Sequence, residues 1–148
     1  MRSYWQRTRF GWTIIAAMFA VAIVEWPQGP VTIPTHWNGE GSIDRCGGKF
    51  QGLLLVPLSA ALASGLITAG ALFQQGKSDP AVSRALIRLG YATLLIFISV
   101  FSDLVLWSNG VVLNMNYLLL PALLLMCAAL GNLLLRAFQK GRASALPG

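Results

Sequence analysis

The stretch GLLLVPLSAALASGLITAGALF, Gly52 to Phe73, contains no charged residue. As an α-helix it would run about 33 Å at about 1.5 Å per residue. That matches the hydrocarbon core of a bilayer, about 30 Å thick, better than any need of a water-soluble domain. Three further apolar runs share its character: Phe10 to Trp26, about Leu86 to Trp107, and Val111 to Leu135. Only Ser108, Asn109 and Gly110 separate the last two, which predicts a tight antiparallel pair of helices.

Composition agrees. Of 148 residues, 55% are apolar and 11% charged, against about 25% charged in an ordinary soluble domain. The expected fold class is therefore an all-α integral membrane protein. A single domain over residues 1–148 would form a bundle of four transmembrane helices. An extracytoplasmic loop, residues 27–51, would join helices 1 and 2.

The net charge of +6 does not mark a nucleic-acid binder, because the eleven Lys and Arg form no stripe. They flank the apolar runs instead, as topology determinants do. Arg2, Arg7 and Arg9 precede the first run, and Lys77, Arg84 and Arg88 lie in or beside the second connection. Arg136, Lys140 and Arg142 follow the fourth, leaving only Arg45 and Lys49 for the other side. Both termini are expected in the cytoplasm, in a multi-pass protein of a bacterial inner membrane. Arg88 can snorkel to the cytoplasmic surface.

The N-terminus also has features of a signal peptide, with Ala20-Val21-Ala22 as the cleavage-like motif. The apolar run passes that point and ends at Glu25-Trp26-Pro27, as an uncleaved span would. Trp5 and Trp12 fall near the inner boundary, and Trp26, Trp37 and Trp107 near the outer one, as interfacial anchors. In the second span Ala61, Gly65 and Ala69, flanked by Ala60, Ser64 and Thr68, make a small-residue face. Such faces allow close helix approach in lipid, so this helix is expected at the centre of the bundle.

Polar residues concentrate in the outer half. Glu25, Asp103, Asn114 and Asn116 all fall there, the two asparagines within the first turns of the fourth helix. Pro57 and Pro121 fall there too, each freeing a backbone carbonyl one turn earlier. Together they suggest a polar, outward-open cleft between kinked helices.

The connection itself carries IPTHWNGEGSIDRCGGK, Ile33 to Lys49, with the only histidine and four of the fifteen glycines. Its prolines favour extended chain and its glycines turns. His36, Glu40 and Asp44 would line up as metal ligands on a helix, but the glycines between them oppose that helix. No metal and no cofactor is expected. No nucleophile elbow, phosphate loop or paired-cysteine motif is present, and the chain is not expected to be an enzyme. An acid pair of Asp103 and Glu25 is the one arrangement that would suggest an intramembrane hydrolase. Cys46 and Cys127 lie at different expected depths and are not expected to form a disulfide.

Ile33-Pro34-Thr35-His36-Trp37-Asn38, then Gly41, Asp44 and Lys49, resembles the signature of the bacterial SdpI-like membrane protein family. That signature reads approximately I-P-x-H-[WF]-N-x-x-G-x-x-D-x-x-x-x-K, with agreement at every position, and Leu55-Val56-Pro57 after it is similar too. It belongs to the N-terminal domain of unknown function these proteins share. The resemblance implies a loop between helices 1 and 2 on the outer face, in a non-enzymatic membrane protein of immunity or sensing type. The full-length type has more than four spans and a C-terminal half of which this chain has no recognisable copy.

The expected binding residues are His36, Trp37, Asn38, Asp44, Lys49, Asp103 and Asn114, with Pro34, Gly41 and Pro57 as structural members of the motif. His36, Asn38 and Asp44 are expected to hydrogen-bond one another or helix ends near Asp103 and Asn114, with Trp37 in the interface. Expected partners are the lipid bilayer and an extracytoplasmic peptide or a larger membrane protein. The alternative function is a small accessory subunit of a transporter or other membrane complex, docking through the small-residue face.

Overall fold

The computed structural model describes residues 4–76 and 80–145, with side chains over residues 8–74 and 81–139. Arg2 and Lys77 lie outside the described residues, as do the side chains of Trp5, Arg7, Lys140 and Arg142.

Four long helices dominate: α1 (Tyr4–Gln28), α2 (Leu55–Gly76), α3 (Pro80–Ser108) and α4 (Asn116–Ala145). All four are long and apolar enough to span a membrane, the second together with the π-helical turn Phe50–Leu54 that precedes it. Between α1 and that turn, β1 (Thr32–Trp37) and β2 (Ile43–Gly48) form an antiparallel hairpin. The helices run alternately up and down. One end of the bundle gathers the hairpin, the C-termini of α1 and α3, and the N-termini of α2 and α4.

The helix ends explain themselves chemically. α1 continues through Pro27 and stops where the Gly29 N–H donates to Glu25 O at 2.7 Å, with Pro30 next. α3 closes in a Schellman arrangement around Gly110, whose φ is +81°. There Val111 N–H donates to Leu106 O and Gly110 N–H to Trp107 O. Pro57, the third residue of α2, follows the π turn without a break in the helix, so its missing donor has to be accommodated in a helix interior. The π turn just before it absorbs the irregularity expected as a kink.

Two expectations need correction. The fourth span does not begin at Val111: residues 111–114 have no regular secondary structure, and α4 starts at Asn116. Hydropathy cannot separate an irregular Val-Val-Leu from a helical one, whereas Asn114 can. Its Oδ1 accepts the Asn116 N–H at 3.0 Å, an N-cap bond. The α3–α4 connection is thus Asn109–Met115, not three residues, and Asn114 sits before the helix.

The second correction concerns the centre of the bundle. α3, not α2, packs against each of the other three helices, and α4 packs against α3 alone among them. The small-residue face of α2 is used inside the chain. Gly65 faces the Trp12 ring, and Ser64 lines a gap of about 40 Å³ shared with α1 and α3.

The core lies between α1, α2 and α3 beneath the hairpin, and includes Ile15, Met18, Ile33, Leu53, Phe101 and Leu104. Its roof is close-fitting: a Cβ on Gly52 would run into Ile33, so only glycine lets the π turn approach β1. Outward, α2 and α4 expose large apolar side chains such as Leu66 and Leu124. Lipid solvates such a surface and water does not.

Candidate functional site

The signature segment folds as the hairpin, and its regularity is broken twice. The register passes from Pro34–Cys46 to His36–Arg45 and then to Trp37–Ile43, leaving Thr35 and Asp44 as extra residues. Each bulge re-aims side chains that a strict two-residue alternation would misplace. Ile33 and Pro34 are consecutive and both buried, His36 turns out, and Trp37 turns in against the core. Trp37 is therefore a packing residue of the hairpin floor, not the interfacial anchor expected of it.

The bulges also bring His36 and Asp44 together. His36 Nδ1 and Asp44 Oδ1 lie 2.6 Å apart, with side chains 57% and 43% exposed. The carboxylate fixes the imidazole, which keeps more than half of its surface open. This pair is the part of the site free to meet a ligand. Glu40 is elsewhere, in the turn. Among the described residues no three His, Cys, Asp or Glu side chains gather in a metal-holding group. The Cys46 and Cys127 thiols are free.

Asn38 works locally. Its side-chain oxygen accepts the N–H groups of Glu40 and Ser42, both at 3.0 Å, closing the turn as an Asx motif. Gly41 follows with φ +78°. Its carbonyl accepts the Met115 N–H at 3.2 Å. Asn114 Nδ2 donates to Glu40 O at 2.7 Å, and Asn116 Nδ2 to Gly39 O at 3.3 Å. The hairpin tip is thus bound to the start of α4 by backbone carbonyls that the turn leaves open.

The hairpin base is bound as well. Lys49 Nζ donates to Trp26 O at 2.7 Å, satisfying a carbonyl in the last turn of α1 where a cation is favoured. Lys49 is therefore engaged in joining α1 to the π turn. Gln51 Oε1 accepts the Gly48 N–H at 3.3 Å.

The two acids of the helices have separate surroundings. Glu25 accepts from Ser108 Oγ at 3.0 Å and Asn109 Nδ2 at 3.4 Å, tying α1 to the end of α3. Asp103 is 2% exposed. The Trp37 indole nitrogen is buried too and has no hydrogen-bond partner among the described residues. Ser108 lies five residues beyond Asp103, about 7.5 Å along the axis and about 140° around it. The acids thus attach to different faces of α3.

The expected polar cleft takes a different form. A cleft of about 260 Å³ does open under the hairpin, between α2 and α3, but its walls are mostly apolar and none of Glu25, Asp103 and Asn114 lines it. Glu25 ties α1 to the end of α3 and Asn114 ties the hairpin tip to α4, while Asp103 is buried inside the bundle. Sequence reasoning left Gln51, Ser108 and Asn109 unassigned. Their partners are distant in sequence, and no local pattern announces them. The sequence places Asn116 in the outer half as a polar residue of the fourth helix, without assigning a partner to it.

Residues 13–60 match the family model of a domain of unknown function, DUF1648. The matched region runs from α1 through the hairpin into the first turns of α2, so the module is this helix–hairpin–helix unit. No curated protein and no solved structure matches the chain.

Proposed function

We propose that the chain is an SdpI-like membrane protein of immunity or sensing type, acting by binding at its hairpin face and without catalysis. In this reading it sits in a bacterial inner membrane with both termini in the cytoplasm and the hairpin outside, and its ligand is an extracytoplasmic peptide. The observation that carries the reading is the His36–Asp44 pair: an oriented, exposed polar group on a hairpin that is fastened to helix ends at its tip and its base. A surface held that firmly is pre-organised for recognition.

Cells expressing the chain, challenged with spent medium of the strain that encodes it, test this. The wild type should protect, and His36→Ala and Asp44→Ala should abolish protection while the protein still fractionates with membranes. Unchanged survival with either variant refutes the proposal. The accessory-subunit alternative has less support, because the small-residue face it would use packs against α1 and α3. A stable partner that co-purifies with the wild type and is lost from Gly65→Leu would revive it.

A further inference from the structure

The cleft under the hairpin has a graded lining. Thr35 and Gln51 stand at its hairpin end, while Val56 of α2 and Ile96, Phe97 and Val100 of α3 form the walls farther along. Counted from the end of α3 at Ser108, Leu104 lies about 6 Å deep and Ile96 about 18 Å deep. A leaflet's hydrocarbon is about 15 Å thick. The cleft therefore reaches from the membrane boundary to about the midplane, with Thr35 and Gln51 where a lipid's ester and headgroup would stand and the Ser59 hydroxyl farther in.

Its dimensions narrow the occupant further. A volume of about 260 Å³ over a depth of about 12 Å has room for one hydrocarbon chain with carbon contacts at about 3.5–4.0 Å. A helix of about 10 Å diameter over the same length would fill roughly 900 Å³. Apolar cavities of this size disfavour water and take hydrocarbon. At the rim, Gln51 Oε1 is used by Gly48, which leaves the amide NH₂ to donate outward to an oxygen acceptor. Trp37 also lines the cleft.

We propose that this cleft binds one acyl chain of a membrane phospholipid from the leaflet on the hairpin side, with Gln51 at the ester or headgroup oxygens. The inference depends on neither the orientation of the chain nor its immunity or sensing role. The hairpin floor then rests on lipid, and the site samples the membrane directly beneath the His36–Asp44 surface.

The full chain, reconstituted in palmitoyl-oleoyl-phosphatidylcholine vesicles and released into mild detergent, tests the proposal by native mass spectrometry. The wild type should retain one phospholipid per chain. Ser59→Phe, which fills the cleft from α2, should lower the bound fraction at least tenfold, and Leu62→Phe outside the cleft should leave it unchanged. Where Ser59→Phe does not fold by circular dichroism, the wild type decides with a diazirine-bearing phosphatidylcholine. Cross-links that survive an excess of unlabelled vesicles should map to residues 51–59 and 96–104. No phospholipid on the wild type, detergent or free fatty acid alone, unchanged retention by folded Ser59→Phe, or cross-links spread evenly over α4 would each overturn it.

Discussion

Gly41→Ala should open the hairpin tip and leave the helices intact. Two costs combine at this position. An L-residue at φ +78° costs about 1–2 kcal/mol in the left-handed region. The new Cβ would also run into the Asn114 amide, so Asn114 must swing away. It then gives up its 2.7 Å bond to Glu40 O and weakens its cap on the Asn116 N–H, together worth about 1–1.5 kcal/mol net. A total of about 2–3 kcal/mol corresponds to local opening about 30- to 150-fold more frequent. Hydrogen exchange in detergent micelles, followed at the amides of Ser42 and Met115, reads that opening directly. Both amides donate across the tip, to Asn38 Oδ1 and to Gly41 O. Gly39→Ala is the control, since a Cβ there meets open space, and it should change exchange less than threefold. Exchange in Gly41→Ala no faster than in Gly39→Ala would refute the reasoning. So would a uniform loss of protection through all four helices, which would mean that the tip is not a separable unit.

Three further outcomes follow from the same contacts. Lys49→Met keeps the aliphatic stem but loses the bond to Trp26 O; partial exposure reduces the loss to about 1–2 kcal/mol, read as a lower melting temperature in micelles. Gly52→Ala forces a methyl against fully buried Ile33 and should cost about 1–3 kcal/mol by overpacking; Gly52→Ala combined with Ile33→Val should recover part of it, and no recovery would contradict the close approach. In intact cells an impermeant maleimide should label exposed Cys46 and spare Cys127 in the middle of α4; labelling of Cys46 only after the cytoplasm is opened would reverse the proposed orientation.

The helices were legible because membrane insertion needs only length and the absence of charge, both visible in any window of the sequence. The boundaries were less so. Val111 to Leu113 has the hydropathy of a helix and no regular secondary structure, and what separates it from α4 is the Asn114 cap, a single side-chain bond. The hairpin was hidden for a related reason. Strands are recognised by a period of two, and the bulges at Thr35 and Asp44 break that period twice within a few residues. The site residues were legible as chemistry and not as geometry. His36 and Asp44 do meet, as expected of the motif. Lys49 turned out to hold the end of α1, 23 residues away, and Asn114 the hairpin turn, 74 residues away, pairings that nothing local encodes. Trp37 read as an interfacial anchor because indoles favour that position, and the bulge turned it inward.

The hairpin's place among the helix ends bears on how binding at one face could act on the rest of the molecule. α4 meets no helix but α3, and its only other attachments in the described residues are the tip bonds from Met115, Asn114 and Asn116. α1, by contrast, is joined to the hairpin base through Lys49 and to α3 through Glu25. A force that lifts the tip therefore loosens α4 first and leaves the core of α1, α2 and α3 in place. Because neighbours in one hydrogen-bond network do not contribute additively, the coupling can be isolated. In Asn114→Ala, His36→Ala and the double variant, exchange at the first turns of α4 should show a coupling energy near zero if the ligand-facing pair and the tip latch are independent. A coupling of about 0.5 kcal/mol or more would mean that the hairpin moves as one rigid strap. Its length is spanned by only two short strands, and the bulges that re-aim His36 also interrupt the ladder between base and tip. The expected result is therefore weak coupling, with the exposed pair able to engage a ligand while α4 stays latched.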